Sequence, residues 1–295
     1  PILSILLQSW AWRPEILLSL GLAATVHLVG RWRLRRRGSR KTVTAWRSAA
    51  YLSGLAILAI ALMSPIDVLS SQFFYMHMVQ HLLLVMIAPP LLLIADPMPV
   101  MLWGLPAALR KETGRLLRPD ATFRRVVCSL TGPGLVWLYF VAALVGWHDP
   151  NAYNATLVSE FVQDLEHVTF FATAMLFWWH VTGAGPRIHK QFGYIGRVAF
   201  VIAAVPPNMA LGVWLSFNNN VIYSYYEAVP RIWGIDPLTD QRIGGVIMWI
   251  PGSMMFLLAA LTLTARYLSS EESKPPLPVK EWIEEEKLIA PGMEK

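Results

Sequence analysis

The chain has 295 residues, 55% of them hydrophobic and only 15% charged, with a mean hydropathy of +0.45. Soluble domains carry nearer a quarter charged residues, so this composition excludes an ordinary soluble domain and predicts a polytopic membrane protein. A net charge of +6 would suggest nucleic acid in a soluble protein, but here it predicts basic loops facing anionic lipid, with the bilayer as partner and no nucleic acid.

A bilayer needs roughly 20 apolar residues per helix. Seven stretches meet that need, near residues 14–30, 46–64, 76–95, 126–147, 162–182, 195–217 and 243–266. The predicted fold is therefore all-α: a polytopic membrane helical bundle of seven transmembrane helices over residues 1–267. A charged, proline-punctuated tail follows over 268–295, expected to carry a short amphipathic helix. Residues 99–109 are too few to span and predict an interfacial piece. No cleavable signal peptide, internal repeat or nucleotide-binding glycine loop is expected. The 13 tryptophans and 9 tyrosines suit two aromatic belts, and Trp147, Trp178, Trp179, Trp214 and Trp249 fall near span ends, where they predict interfacial anchors.

Charge sets the orientation. The loop after the first span, RWRLRRRGSRKTVTAWR, holds eight Lys/Arg residues. The loop after the third holds six, and the loop after the fifth has Arg187, Lys190 and Arg197. The alternate connections hold none (65–75), none (148–161) and two, Arg231 and Arg242. Basic loops stay cytoplasmic, so the expected N-terminus is outside, the C-terminus cytoplasmic, and the location a bacterial inner membrane.

In this frame the ionisable residues collect at one level. His77 and His81 open the third span four residues apart, on one helical face. His148 closes the fourth span and His167 lies just inside the fifth. Asp67, Asp240 and Gln241 share that outward level, whereas His27, His180 and His189 fall toward the cytoplasmic half. The single cysteine, Cys128, excludes a disulfide framework and a paired-cysteine clamp. The functional reading is a metal site of His77, His81, His148 and His167, since imidazole suits copper, zinc, iron and nickel. Glu166, Asp164 and Asp240 could fix the second ring nitrogens, or one of them could ligate. The plain alternative has His148 capping a helix end and His167 paired with a carboxylate. Met76, Met78, Met86, Met248, Met254 and Met255 offer soft thioethers, but most are expected to be packing. Pro206 and Pro207 should break the sixth span, and Gly244 and Gly245 permit close helix contact.

The runs HMVQHLLLVMIAPPLLL, WHDPNAYNA, EHVTFFATAMLFWWH and DQRIGGVIMWIPG, preceded by SPID, stand in this order. Together they resemble the polytopic CtaG family of cytochrome c oxidase assembly factors over about residues 14–266. The resemblance implies support for maturation of a heme–copper oxidase through copper handling, with oxidase subunits or other assembly factors as partners. It carries the family's histidines onto His77, His81, His148 and His167, with Asp240 and Gln241 in the last run. His180 departs from the family pattern, and the basic first loop and acidic tail carry no part of the resemblance. The expected protein is not an enzyme; copper would be its cargo. Two alternatives stand beside it. A copper transporter would need polar groups continuing through the bundle, for which His180 and His27 are the hints. A bis-histidine heme protein could carry electrons, although no heme-attachment cysteine motif is present.

Overall fold

Backbone in a bilayer must satisfy its own hydrogen bonds, which for single segments means helix. The computed structural model describes residues 9–38, 44–189, 193–231 and 233–274, and every regular element among them is helical. In chain order these are α1 (Pro14–Arg36), α2 (Ala45–Met63), α3 (Pro65–Ser70), α4 (Phe74–Leu82), a π-helical turn (Leu83–Ile87) and α5 (Ala88–Ile94). Then come α6 (Pro97–Gly104), α7 (Ala107–Leu116), α8 (Thr122–Leu130), α9 (Pro133–Trp147), α10 (Pro150–Val158) and α11 (Glu160–Thr182). The last are α12 (Tyr194–Ile202), α13 (Val205–Phe217), α14 (Tyr225–Ala228) and α15 (Pro237–Glu272).

Among the described residues, four runs are individually long and apolar enough to cross a membrane: Ala45–Met63, Phe74–Ile94, Tyr194–Phe217 and Pro237–Glu272. The pair α8 and α9, bent by 55°, would make a fifth. The other two expected spans are also helical, α1 and α11, each of 23 residues. They are long enough but more polar: α1 ends in Arg33, Arg35 and Arg36, and α11 carries Glu160, Asp164, Glu166, His167 and His180. The expected interfacial piece is covered by two short helices, α6 and α7. Helix α15 continues through Glu272, past residue 267, and the expected amphipathic helix of the tail lies outside the described residues.

Prolines interrupt the helices, and at Pro89 a side chain from another helix takes up the freed carbonyl. Pro89 has no N–H to give the carbonyl of Val85, four residues back. That carbonyl accepts instead from Trp178 Nε1 on α11 at 2.8 Å, and the π-helical turn forms at this point. Trp178 is buried, so it is a core plug and not the interfacial anchor that its position near a span end suggested. The sixth expected span breaks between α12 and α13, directly before Pro206 and Pro207. Pro251 lies inside α15, and Asn208 Nδ2 on α13 donates to the Met248 carbonyl in the preceding turn at 3.1 Å.

Glycines set the closest helix approaches. A Cβ at Gly244 would run into the Phe74 ring, and one at Gly245 would lie 2.7 Å from the Ser216 backbone nitrogen. These two residues bring α4 and α13 against α15. A Gly245→Ala variant should therefore lose about 1–3 kcal/mol through overpacking. The matched control is Gly21→Ala on α1, where a Cβ meets nothing within 4 Å and helix propensity favours alanine. Thermal unfolding in detergent should show a lower midpoint for the first variant and none for the second; equal midpoints would contradict the close α13–α15 contact.

Candidate metal centre

The site begins with the capping of α4. Phe73 enters the helix extended and supplies no side-chain cap. The Asp240 carboxylate, from the first turn of α15, accepts from Phe74 N at 3.0 Å and Tyr75 N at 2.9 Å. Orphan N–H groups and the positive end of the helix dipole both favour a carboxylate there. Arg231 Nη1 donates to the same carboxylate at 2.8 Å, and Asp240 is fully buried. This clamp fixes the start of α4, and the imidazoles of His77 and His81 then lie on one face, ring centroids 4.4 Å apart.

Across from them, α11 brings Glu166 and His167. One ligand atom from each of His77, His81, Glu166 and His167 falls within 4.8 Å of the others, and all four residues are buried. His77 Nε2 lies 2.9 Å from His81 Nε2 and 3.3 Å from Glu166 Oε2. His81 Nε2 approaches Glu166 Oε1 at 3.5 Å, an ion-pair distance without hydrogen-bond geometry. Among the described residues, no Lys or Arg pairs with Glu166; its ion-pair partners are these two histidines. A buried carboxylate with no cation costs several kcal/mol, so a proton or a metal ion must sit among these groups. Buried atoms without a hydrogen bond include His77 Nδ1, His81 Nδ1, Glu166 Oε1 and both ring nitrogens of His167. Three imidazoles and a carboxylate fit a transition-metal ion. Bonds of about 2.0–2.1 Å imply ligand–ligand edges of about 3.4 Å, so around an ion His77 and His81 would part slightly from 2.9 Å while the more distant donors close in.

The structure distributes the remaining expected residues around this cluster. His148 follows α9, its ring 6.2 Å from that of His81, and its Nδ1 donates to the Leu144 carbonyl at 2.7 Å. Asp67 accepts from Gln80 Nε2 at 2.7 Å, and the same amide donates to the Ala61 carbonyl. Asp164 forms a two-pronged pair with Arg13 at 2.8 and 2.7 Å, tying α1 to α11. Gln241 accepts from Ile222 N at 2.7 Å and donates to the Asn220 carbonyl, pinning the loop before α14. Of the acidic candidates, Glu166 is the one that touches cluster histidines; Asp240 and Asp164 are engaged elsewhere.

A wall of aromatic residues that sequence reasoning did not single out closes one side. Asp149 caps α10 by accepting from Asn151 N and Ala152 N, which places Tyr153 with its ring 5.0 Å from that of His77. Tyr226 donates its hydroxyl proton to the Ser70 carbonyl at 2.8 Å, so Tyr153 must donate to Tyr226, 3.1 Å away. Tyr223 stacks on both Phe74 and Tyr153 and donates to the His148 carbonyl. The signal available beforehand was the tyrosine-rich run IYSYYE, with no partner visible in sequence.

The other histidines stand apart from the cluster. His180 Nε2 bonds the Thr131 carbonyl at 2.8 Å. Thr131 precedes α9 and His148 follows it, and 15 helical residues separate these ends by about 22 Å. His27 stacks on Tyr51 with centroids 4.3 Å apart.

Removing the carboxylate of Asp240 should be costly because it leaves Arg231 buried and the α4 N–H groups unpaired. Asp240→Ala should destabilise the protein by about 3–5 kcal/mol. Asp164→Ala, which breaks a half-exposed pair, should cost about 0–1 kcal/mol. Denaturation midpoints of the two purified variants test this, and similar losses in both would sink the assignment of Asp240 as the clamp.

The chain is also similar to known proteins. The chain is 26% identical over 260 residues to an uncharacterized protein of Mycobacterium bovis and equally to one of Mycobacterium tuberculosis. It is 24% identical over 244 residues to an uncharacterized protein of Mycobacterium leprae. The first two alignments cover 85% of this chain and the third 82%, but each covers 37% of the relative, so the chain spans well under half their length. No solved structure matches. The family model described as cytochrome c oxidase caa3 assembly factor (Caa3_CtaG) matches residues 25–270, and the chain belongs to that family.

Proposed function

We propose that this protein holds a copper ion at the His77–His81–Glu166–His167 cluster and aids its delivery to a cytochrome c oxidase during assembly. The observation that carries the reading is the buried carboxylate among three imidazoles, with lone pairs left without hydrogen bonds. Copper is preferred over other ions that accept these donors because the family is one of oxidase assembly factors. The ion is cargo and the role non-catalytic, a reading supported by the family of assembly factors. Partners are oxidase subunits or other assembly factors within a bacterial inner membrane. The heme alternative is disfavoured by packing. Rings 4.4 to 6.2 Å apart leave no slot for a porphyrin between facing helices, and two histidines one turn apart on α4 cannot ligate opposite faces of one.

His81→Ala should lower copper occupancy of the purified protein by roughly 10-fold or more, since a lost ligand costs at least as much as a lost supporting hydrogen bond. His180→Ala, with its ring bonded about one helix length away, should leave occupancy near wild type. Equal losses would move the site elsewhere. In cells, the double variant His77→Ala/His81→Ala should behave like a deletion, with less active oxidase but unchanged synthesis of its subunits. Excess copper should partly restore activity by mass action. Normal oxidase activity and copper content in that strain would end the delivery reading while leaving the family assignment intact.

Seven spans with an outward N-terminus complete the proposal, supported by the Lys/Arg alternation and by helices at all seven expected stretches. A reporter in the loop near Asn151 should be external and one after Lys295 cytoplasmic. A cytoplasmic signal from the Asn151 fusion would overturn both the topology and the outward position of the cluster.

A further inference from the structure

A cavity of about 40 Å³ lies beside the cluster, lined by His81, His148, Met78, Met86, Met248 and Asn208 among apolar neighbours. We propose that this cavity is a second metal site, built for the soft monovalent ion Cu(I), with His148 Nε2 and the thioethers of Met78, Met86 and Met248 as its donors. The inference deepens the copper reading above and rests on it for the identity of the metal, but its donor set is its own.

Tautomer geometry supplies the first argument. His148 Nδ1 faces the Leu144 carbonyl, which can only accept, so Nδ1 carries the proton and Nε2 of the neutral ring keeps its lone pair. That Nε2 is buried, has no hydrogen-bond partner, and belongs to a residue that lines the cavity. A helix-end carbonyl holding one ring nitrogen while the other is left free is the arrangement that orients metal-binding imidazoles.

The lining supplies the second. Met78 and Met86 come from α4 and the π-helical turn, and Met248 comes from α15 just before its internal proline. All three are buried, whereas Met254 and Met209 are exposed. Packing alone explains a buried methionine; it does not explain three around one void beside an unpaired imidazole. Thioether and imidazole together favour Cu(I) over harder ions. Among the described residues, no carboxylate lines this cavity, unlike the cluster with Glu166. Desolvation of an ion grows with the square of its charge, so an apolar wall without counter-charge discriminates against divalent ions.

Size supplies the third. The volume suits an ion or at most a few waters, and each water needs at least two polar partners. Asn208 spends its Nδ2 protons on the Met248 carbonyl and Ser253 Oγ, and its carboxamide oxygen remains an acceptor, so a water is the competing occupant that the test below must exclude. An organic ligand does not fit. His81 lines this cavity and also belongs to the cluster, so the two sites share a wall, a harder nitrogen–oxygen set on one side and a softer sulfur–nitrogen set on the other.

The test uses the purified 295-residue chain, anaerobically, with Ag(I) as a redox-inert probe for the Cu(I) site and Zn(II) as a probe for the cluster. Wild type should bind both. Met78→Leu/Met248→Leu conserves volume and should weaken Ag(I) by roughly 10-fold or more while Zn(II) binding stays within about 3-fold. Glu166→Gln should do the reverse. Unchanged Ag(I) affinity in the methionine variant would overturn the second site, since a water-filled void predicts that result. Loss of Zn(II) binding in wild type with Ag(I) retained would overturn the cluster reading alone. If the double variant fails to fold, X-ray absorption of Cu(I)-loaded wild type decides: sulfur scatterers support the site, and a shell of nitrogen and oxygen only overturns it.

Discussion

Glu166 is a fully buried carboxylate with no Lys or Arg beside it among the described residues, and much of the bundle is arranged to make that tolerable. Its charge must be matched within a few ångströms, because in a medium of low dielectric an unmatched charge is far more expensive than in water. The match comes from imidazoles on another helix, so α4 and α11 have to meet at a defined rotation and height. Asp240 and Arg231 set one partner by clamping the first turn of α4. The tie between Arg13 and Asp164 steadies the start of the other. Tyr153, Tyr223 and Tyr226 close the side between them with aromatic faces and internally satisfied hydroxyls.

The broken helices serve the same end. Each proline removes a backbone donor, and in an apolar setting the freed carbonyl needs a new one. Trp178 answers for Val85, whereas Asn208 donates to the Met248 carbonyl in the turn before Pro251, next to the carbonyl of Ile247 that this proline frees. Val85 and Met248 both line the cavity beside the cluster. Regular helices would pack with their side chains interlocked; the π-helical turn and the internal proline displace the register on two sides of the same space. The glycines at 244 and 245 act in the opposite sense, bringing backbones together where no side chain fits. The bundle is therefore tight at Gly244 and Gly245 and open by about 40 Å³ next to the histidines.

The helices were legible from sequence because the bilayer leaves a long apolar run few alternatives. Each expected span coincides with helix, including the break before Pro206 and the close contacts at Gly244 and Gly245. The pairing of His77 with His81 was equally legible, since the spacing of four is a property of the helix itself. What failed was the assignment of partners. Trp178 looked like an interfacial anchor from its position near a span end, yet its N–H serves a carbonyl 93 residues away. Asp240 looked like a support for a ring nitrogen, yet it binds backbone 165 and 166 residues away. Tyr153 and Gln80 stood in runs that sequence reasoning noticed and Tyr226 in a tyrosine-rich run, but nothing in those runs named their partners.

Sequence alone thus determined what one residue or one helix can decide: membrane composition, helical segments, the sign of each loop, and a face bearing two imidazoles. Tertiary structure decided which carboxylate meets those imidazoles. Asp67, Asp164, Glu166 and Asp240 are all acidic and all near helix ends in the sequence. Their roles diverge because a carboxylate takes whichever donors lie within about 3 Å, and helix rotation and packing, not residue type, choose those donors. Glu166 faces α4 and meets histidines; Asp164, two residues earlier on the same helix, points about 200° away and meets Arg13.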